Sequence, residues 1–219
     1  MKKPQDWKKE WPVAVMLAFI WAVAFLVYPN LPDRVPTHWN LRGEVDGYSG
    51  PLFAAFGFPA IITGLALLLY VIPSIDPRRE NYRRFADFYH KFIWVFVGFM
   101  SVLYLVAIAA GLGKPVDIGL TVMAGVAVLF VFLGNSLGKV RPTYFFGVRT
   151  PWTLADEDVW RKTHRWSGRV MVLTGLVPLL AMPFSRALAM GLLLAGVLLL
   201  TFGSAVYSFI LYRQKQKRD

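Results

Sequence analysis

The chain has 219 residues, of which 56% are apolar and only 17% charged, and it contains no cysteine. A soluble domain has about a quarter of its residues charged, so this composition indicates a protein dissolved in lipid. The absence of cysteine excludes a disulfide framework and a thiolate site. The net charge of +11 would suggest nucleic acid as the partner of a soluble protein, but its distribution along the chain points to the membrane instead.

Six apolar stretches predict six transmembrane helices, because a helix needs about 20 apolar residues to cross a bilayer. They cover residues 11–28, 52–75, 92–112, 116–137, 170–186 and 187–212. The first stretch continues past the Ala22-Val23-Ala24 sequence, which favours a retained helix over a cleaved signal peptide. The fifth is short and contains Pro178 and Pro183, so we expect a kinked helix or a tight hairpin with the sixth.

The basic residues predict the orientation of these helices. Of the 24 Lys and Arg residues, 20 flank the helices on one side. This side includes Lys2, Lys3, Lys8, Lys9 and Arg218 at the two ends of the chain. The other side holds Arg34, Arg42, Lys114 and Arg186. Since positive loops remain in the cytoplasm, both ends and the two basic loops are predicted to be cytoplasmic. We therefore expect an all-α integral membrane protein with short interfacial helices in its cytoplasmic loops.

Three loops carry most of the polar sequence. The outer loop, 29–51, is rich in proline and turn residues, which predicts a compact, ordered segment at the membrane surface. The shorter inner loop begins with a cap at Asp76 and continues as an amphipathic helix whose aromatic residues Tyr82, Phe85 and Tyr89 would face lipid. The longer inner loop, 138–169, is irregular to residue 152, and a capping box from Thr153 to Asp156 predicts the start of an interfacial helix.

The residue types offer little for catalysis or ion coupling. The predicted hydrocarbon depth contains no Asp, Glu, Lys, Arg or His, which counts against an ion-coupled transporter. Asn135 is the polar exception near the end of the fourth stretch. There is no H-E-x-x-H pair and no nucleophile motif, so we expect no enzyme activity and no cofactor. His38, and His90 with His164 beside Asp87, are the only candidate metal ligands, and hydrogen bonding is the favoured role for each.

The two long loops resemble a known family. The inner sequence reads GNSLGKVRPTYFFGVRTPWTL over residues 134–154 and WRKTHR over 160–165. It is similar to the signature of the SdpI family of bacterial immunity proteins. The outer loop, with LPD at 31–33, PTHWN at 36–40, Gly43 and Asp46, is similar to the uncharacterised domain that commonly precedes that signature. One departure is Thr143, where many relatives carry Asn.

The resemblance implies tolerance of a secreted, membrane-active peptide toxin, and in the best-known member also the capture of a cytoplasmic transcriptional repressor. It divides the chain into a two-helix unit, 1–75, and a four-helix unit, 76–219. Membrane lipid is a further expected partner, whereas direct binding of nucleic acid is not expected. The outer candidates for ligand binding are Pro36, His38, Trp39, Asn40, Gly43 and Asp46. The inner candidates for a functional loop are Asn135, Arg149, Thr150, Pro151, Trp152, Trp160 and His164.

Two other functions remain open from the sequence. A peptide or lipid transporter would move its substrate across liposomes containing the purified protein. A membrane enzyme with a histidine-based site would hold tightly bound metal in stoichiometric amount.

Overall fold

The computed structural model describes residues 10–40 and 43–217, and the chain is 77% helical. Lys2, Lys3, Lys8, Lys9, Arg42 and Arg218, which contribute to the predicted orientation, lie outside the described residues. Seven α-helices are described: α1 (Trp11–Val27), α2 (Phe58–Ile75), α3 (Ala86–Gly111), α4 (Ile118–Leu137), α5 (Pro151–Ala155), α6 (Glu157–Ala181) and α7 (Arg186–Gln216). A π-helical segment, Phe53–Gly57, leads into α2, and a 3-10 segment, Arg79–Phe85, leads into α3.

Within the described residues, five helical stretches are long and apolar enough to cross a membrane. They are Trp11–Asn30, Phe53–Ile75, Arg79–Gly111, Ile118–Leu137 and Arg186–Gln216. The helix α6 is not among them, because its first half carries charged residues and only its second half is apolar. The predicted all-α membrane fold is therefore confirmed at the level of apolar helices, while the count of six spans stays a prediction.

The chain forms two compact units, and each unit is built from two separate segments of the sequence. The first comprises Met1–Val71 and His90–Gly125, and the second comprises Ile72–Tyr89 and Val126–Asp219. Both units therefore draw on segments far apart in sequence. The resemblance implies a division of the chain at residue 75. That division refers to modules of the sequence and not to these compact units, and it stays a prediction.

In the first unit, the outer loop forms a β-hairpin, which the all-α prediction did not include. The strands β1 (Val35–Trp39) and β2 (Val45–Ser49) pair in antiparallel register, with Val35 opposite Ser49. Val35 is almost fully buried, and a Cβ atom placed on Gly111 would lie 2.6 Å from its Cγ1 atom. Gly111 thus lets the hairpin rest on the end of α3, which explains how a proline-rich loop is held in one conformation.

In the second unit, α6 packs closely against α4. A Cβ atom on Gly168 would lie 2.7 Å from the carbonyl oxygen of Gly134, and one on Gly175 would lie 2.3 Å from that of Ala127. Such approach of two backbones requires glycine and is a common way for helices to associate in lipid.

The same helix also pairs with α7 in the antiparallel direction. The hydroxyl groups of Ser167 and Ser204 are 2.8 Å apart, and further along α6 Thr174 packs against Gly196.

Two local predictions were wrong. The aromatic residues Tyr82, Phe85 and Tyr89 face the protein rather than lipid, and each is at most 5% exposed. The ring of Phe85 stacks on that of Phe146, with centroids 6.1 Å apart, so long-range packing overrides the amphipathic pattern.

The second wrong prediction is the capping box at residues 153–156. The box lies at Thr150 and Thr153 instead, because Pro151, which has a preset φ and no N–H group, starts α5 earlier. A separate cap, the Asp156 side chain, starts α6 by accepting the amides of Asp158 and Val159.

Candidate functional site

The 138–169 loop is organised around the buried carboxylate of Asp76. The side chain is 2% exposed and accepts hydrogen bonds from the backbone amides of Tyr144 at 2.9 Å and Phe145 at 3.2 Å. It also accepts one from the hydroxyl of Tyr82 at 3.1 Å and one from the amide of Arg78 at 2.7 Å. A carboxylate with several N–H donors is a strong hydrogen-bond acceptor. Asp76 therefore fixes the centre of the loop from 68 residues away in sequence.

Thr143 closes the turn that brings these amides to Asp76. Its hydroxyl donates to the carbonyl oxygen of Phe146 at 2.7 Å and accepts from the amide of Phe146 at 3.3 Å. The side chain is fully buried. A threonine hydroxyl can thus bond locally to the backbone at this turn.

The other side of the loop rests on Trp160 and His164, which are both almost fully buried. The indole N–H of Trp160 donates to the carbonyl oxygen of Val140 at 2.9 Å. His164 Nε2 accepts from the amide of Val148 at 3.0 Å, so Nδ1, which is 2.9 Å from the carbonyl oxygen of Trp160, carries the proton. Burial lowers the pKa of His164 to about 4, which keeps the ring neutral at physiological pH.

Gly147 allows this approach of the loop to the histidine. Its φ is +106°, and a Cβ atom there would lie 2.5 Å from His164 Nε2. Any other residue would strain the backbone and displace the imidazole.

The end of the loop is tied to α7. The hydroxyl groups of Thr150 and Ser208 are 2.9 Å apart, and the rings of Trp152 and Phe209 have centroids 5.0 Å apart. Thr150 also caps α5 by accepting the amide of Thr153. These contacts give Thr150 and Trp152 a structural role at the base of the loop.

Arg149 differs from these residues because it is exposed. Its Nη1 atom donates to the carbonyl oxygen of Tyr144 at 2.7 Å, which holds the side chain across the loop. Tyr144 and Phe145 are 42% and 43% exposed, and the guanidinium of Arg78 lies 5.0 Å from the centroid of the Tyr144 ring. We name Arg78, Tyr144, Phe145 and Arg149 the inner surface. It combines cationic and aromatic groups, which suit an anionic or amphipathic partner.

Of the seven inner residues singled out from the sequence, six lie in or beside this loop. They are Arg149, Thr150, Pro151, Trp152, Trp160 and His164. The seventh, Asn135, lies on α4 and lines a groove between α4 and α6. The roles of these residues stay predictions.

The six outer candidates all belong to the β-hairpin or its turn. His38 Nδ1 is 2.5 Å from a carboxylate oxygen of Asp46 across the two strands. In the turn, Asn40 donates to the Glu44 carboxylate at 2.9 Å, and Gly43 has a φ of +79° that favours glycine. Pro36 is opposite Tyr48, and Trp39 is opposite Val45.

Several side chains of the hairpin are exposed, among them His38, Asp46 and Tyr48, whereas Trp39 is half-buried. The side chain of His38 is 73% exposed, and Tyr48 is 51% exposed with the guanidinium of Arg34 4.8 Å from its ring centroid. We name His38, Trp39, Asp46 and Tyr48 the outer surface.

None of the three histidines lies in an arrangement typical of a metal site. Among residues 10–40 and 43–217, no three His, Asp or Glu side chains are placed to hold a metal ion together. His38 pairs with Asp46, His90 with Glu10, and His164 with backbone atoms.

The first unit contains a buried polar cluster that was not predicted from the sequence. Glu10, 7% exposed, contacts the imidazole of His90 and accepts a hydrogen bond from the hydroxyl of Tyr70. The indole N–H of Trp94 lies 3.3 Å from the same carboxylate. Glu10 and His90 stood just outside the limits of the predicted spans. Glu10 could have been singled out from the sequence, because it is an acidic residue directly before the helix that starts at Trp11-Pro12. Carboxylates are favourable at this position.

Both segments that contain the long loops match models of known protein families. The model of the SdpI/YfhL protein family matches residues 139–210, and that of a domain of unknown function, DUF1648, matches residues 15–63. The chain is 25% identical over 202 residues to the Immunity protein SdpI of Bacillus subtilis (strain 168), a match that covers 92% of this chain and 94% of the relative. No solved structure matches the chain.

The apolar helices and these matches define a multi-pass bacterial membrane protein. The two matched segments fall on the two loops whose motifs suggested the family, and their order along the chain is the expected one. These similarities support a relation of the chain to the SdpI family.

Proposed function

We propose that this protein is a non-enzymatic immunity protein that makes a bacterial cell tolerant of a secreted, membrane-active peptide toxin. The observation that supports this most is the similarity to the Immunity protein SdpI, which extends over 92% of the chain and includes both loops. The inner loop supports it further, because its buried histidine and carboxylate are used in hydrogen bonds that shape the loop rather than in a reactive site.

We propose that six helices cross the membrane, with α6 as the fifth in chain order and both ends in the cytoplasm. The pairing of α6 with α7 supports this: from Ser167 to Thr174 on α6, the partners on α7 run back from Ser204 to Gly196. A helix that follows a spanning helix in this way reaches the same depth.

The chain contains no cysteine, so single cysteines report topology directly. Ser185→Cys should react with an impermeant maleimide added to whole cells, and Lys217→Cys should react only after the cells are opened. Labelling of both residues in whole cells would contradict the proposed topology.

In this orientation the outer surface meets the toxin first. An exposed tyrosine, a tryptophan and an ordered backbone offer contact area at low entropic cost, which suits a flexible peptide. The His38 and Asp46 pair adds a polar contact that orients the strand edge.

The first experiment is survival of a toxin-sensitive bacterium that expresses the protein and is exposed to a panel of membrane-active peptides. Wild-type protein should protect against at least one peptide, and Arg149→Ala should reduce that protection at equal expression. Arg161→Ala is the matched control, because Arg161 is an exposed arginine of the same loop that pairs with its helical neighbour Asp158. If the wild type protects against no peptide, while transport of peptide or lipid by the purified protein is detected in liposomes, the transporter reading replaces immunity.

The inner surface supports a second part of the proposal, the capture of a cytoplasmic repressor after toxin binds. Its cationic and aromatic groups suit an acidic protein surface. Transcripts induced by a protective peptide should disappear in a strain with Arg149→Ala, provided that the variant still reaches the membrane. No change in transcripts in the wild type would reject this part and leave toxin tolerance standing.

A further inference from the structure

A groove with a volume of about 510 Å³ lies between α4 and α6 in the second unit. One wall is formed by Gly134 and Asn135 on α4 and by Gly138 directly after it. The other is formed on α6 by Arg165, Gly168 and the residues that follow on the same face. The glycines bring the two helices close together while leaving the space between the remaining side chains open.

The polarity of the groove changes along its α6 wall. Arg165 and Arg169 line it where α4 ends, and Val172 and Leu173 line it one to two turns further into the apolar half of α6. The groove is therefore cationic at the membrane boundary and apolar toward the membrane interior. This is the polarity of a phospholipid with its anionic headgroup at the surface.

Arg165 and Arg169 differ in their pairing from the neighbouring basic residues of α6. Among residues 10–40 and 43–217, neither Arg165 nor Arg169 lies within ion-pair distance of a carboxylate, whereas the neighbouring Arg161 and Lys162 both pair with Asp158. Two guanidinium groups four residues apart face the same side of a helix and can bind one phosphate together. The amide of Asn135, on the opposite wall, can donate to the same headgroup.

A smaller cavity of about 140 Å³ adjoins the cationic end and shares Gly138 and Arg165 with the groove. It adds Lys139, Arg141 and Arg161, against one carboxylate, Glu157. The local charge therefore remains strongly positive beyond the groove, which favours a headgroup with a net negative charge over a zwitterionic one.

We propose that the groove between α4 and α6 binds one anionic phospholipid, with its phosphate between Arg165 and Arg169 and an acyl chain along Val172 and Leu173. The bound lipid would be an integral part of the second unit, because its headgroup lies beside the base of the inner loop and its chain lies between two helices. This site is independent of the toxin and of the proposed immunity function.

The test is a titration of the full-length protein in detergent with phosphatidylglycerol, followed by native mass spectrometry. Wild-type protein should retain one phosphatidylglycerol in preference to phosphatidylcholine. The double variant Arg165→Gln, Arg169→Gln should bind it about 30-fold more weakly, since each basic residue near a membrane surface contributes about a factor of five. Leu173→Trp, which fills the apolar end at an exposed position and keeps both arginines, should also weaken binding.

The matched control is Arg213→Gln with Lys217→Gln, which removes two positive charges at the same spacing from the end of α7. Its affinity should stay within about threefold of the wild type. Equal weakening in the control would show that binding reflects overall charge, and would overturn the proposal. Equal affinity for phosphatidylcholine, or full displacement by inorganic phosphate, would overturn it as well, and none of these outcomes depends on toxin tolerance.

Discussion

Replacing Asp76 is expected to release the centre of the inner loop. The carboxylate accepts four hydrogen bonds, from the amides of Arg78, Tyr144 and Phe145 and from the hydroxyl of Tyr82. In Asp76→Ala these donors lose their acceptor. A buried donor without a partner costs about 1–3 kcal/mol. The three amide hydrogen bonds are part-buried and only that of the Tyr82 hydroxyl is buried, so we count each lost bond at or below the lower end of this range. The free energy of unfolding should fall by about 3 kcal/mol.

Asp76→Asn removes the negative charge of this side chain and keeps its shape. The amide keeps one oxygen for the donors but turns an NH₂ group toward the rest, so we expect a loss of about 2 kcal/mol. Glu80→Gln is the control, since Glu80 forms an exposed ion pair with Arg83 at 2.9 Å. Such pairs contribute at most about 1 kcal/mol.

The assay is unfolding of the purified protein in mixed micelles, followed by fluorescence of its eight tryptophans. Hydrogen exchange at the amides of Tyr144 and Phe145 gives a local measure, and it should become faster in Asp76→Ala before global unfolding. If Asp76→Ala costs less than about 1 kcal/mol and leaves exchange at both amides unchanged, the carboxylate does not organise the loop.

Three further predictions concern other contacts. Gly168→Ala should destabilise the protein by about 1–3 kcal/mol, because its Cβ atom would lie 2.7 Å from a carbonyl oxygen of α4, whereas Gly191→Ala, in open space, should be neutral or stabilising in the same unfolding assay. Burial lowers the pKa of His164 from 6.5 to about 4, so the unfolded chain binds the proton at a higher pH than the folded chain does. The free energy of unfolding should therefore be highest above about pH 6.5 and should decrease by about 3 kcal/mol toward pH 4. His164→Gln should flatten this pH dependence. Gly47→Ala should open the hairpin, since its Cβ atom would lie 2.8 Å from that of His38, and protease cleavage of the outer loop should then be faster than in Gly50→Ala, whose Cβ atom meets nothing within 4 Å.

The apolar helices could be predicted from the sequence because lipid requires long continuous apolar runs. The first predicted span, 11–28, differs by one residue from α1, and the fourth ends at the same residue as α4. The hairpin was not predicted, because prolines and turn residues indicate order without indicating which strands pair.

The candidate site was predicted only in part. The resemblance identified Arg149, Trp160 and His164 as candidates. Their roles in the loop differ because their burial differs, and a sequence motif does not show burial. The contribution of Asp76 to the inner loop, and the contact of Glu10 with His90, join segments 68 and 80 residues apart. A local pattern carries no information about such pairs, so these contacts required the tertiary structure.

The continuity of α6 has a mechanical consequence. The helix runs for 25 residues, from the end that supports the inner loop to the far end of the apolar half, where it contains Pro178. At 1.5 Å per residue it is a rod about 37 Å long, and a tilt of about 5° at one end moves the other by about 3 Å. Trp160 and His164, which contact the loop, lie on this same rod. A displacement of the apolar half of α6 therefore also moves the loop, because the helix has no hinge between His164 and Pro178.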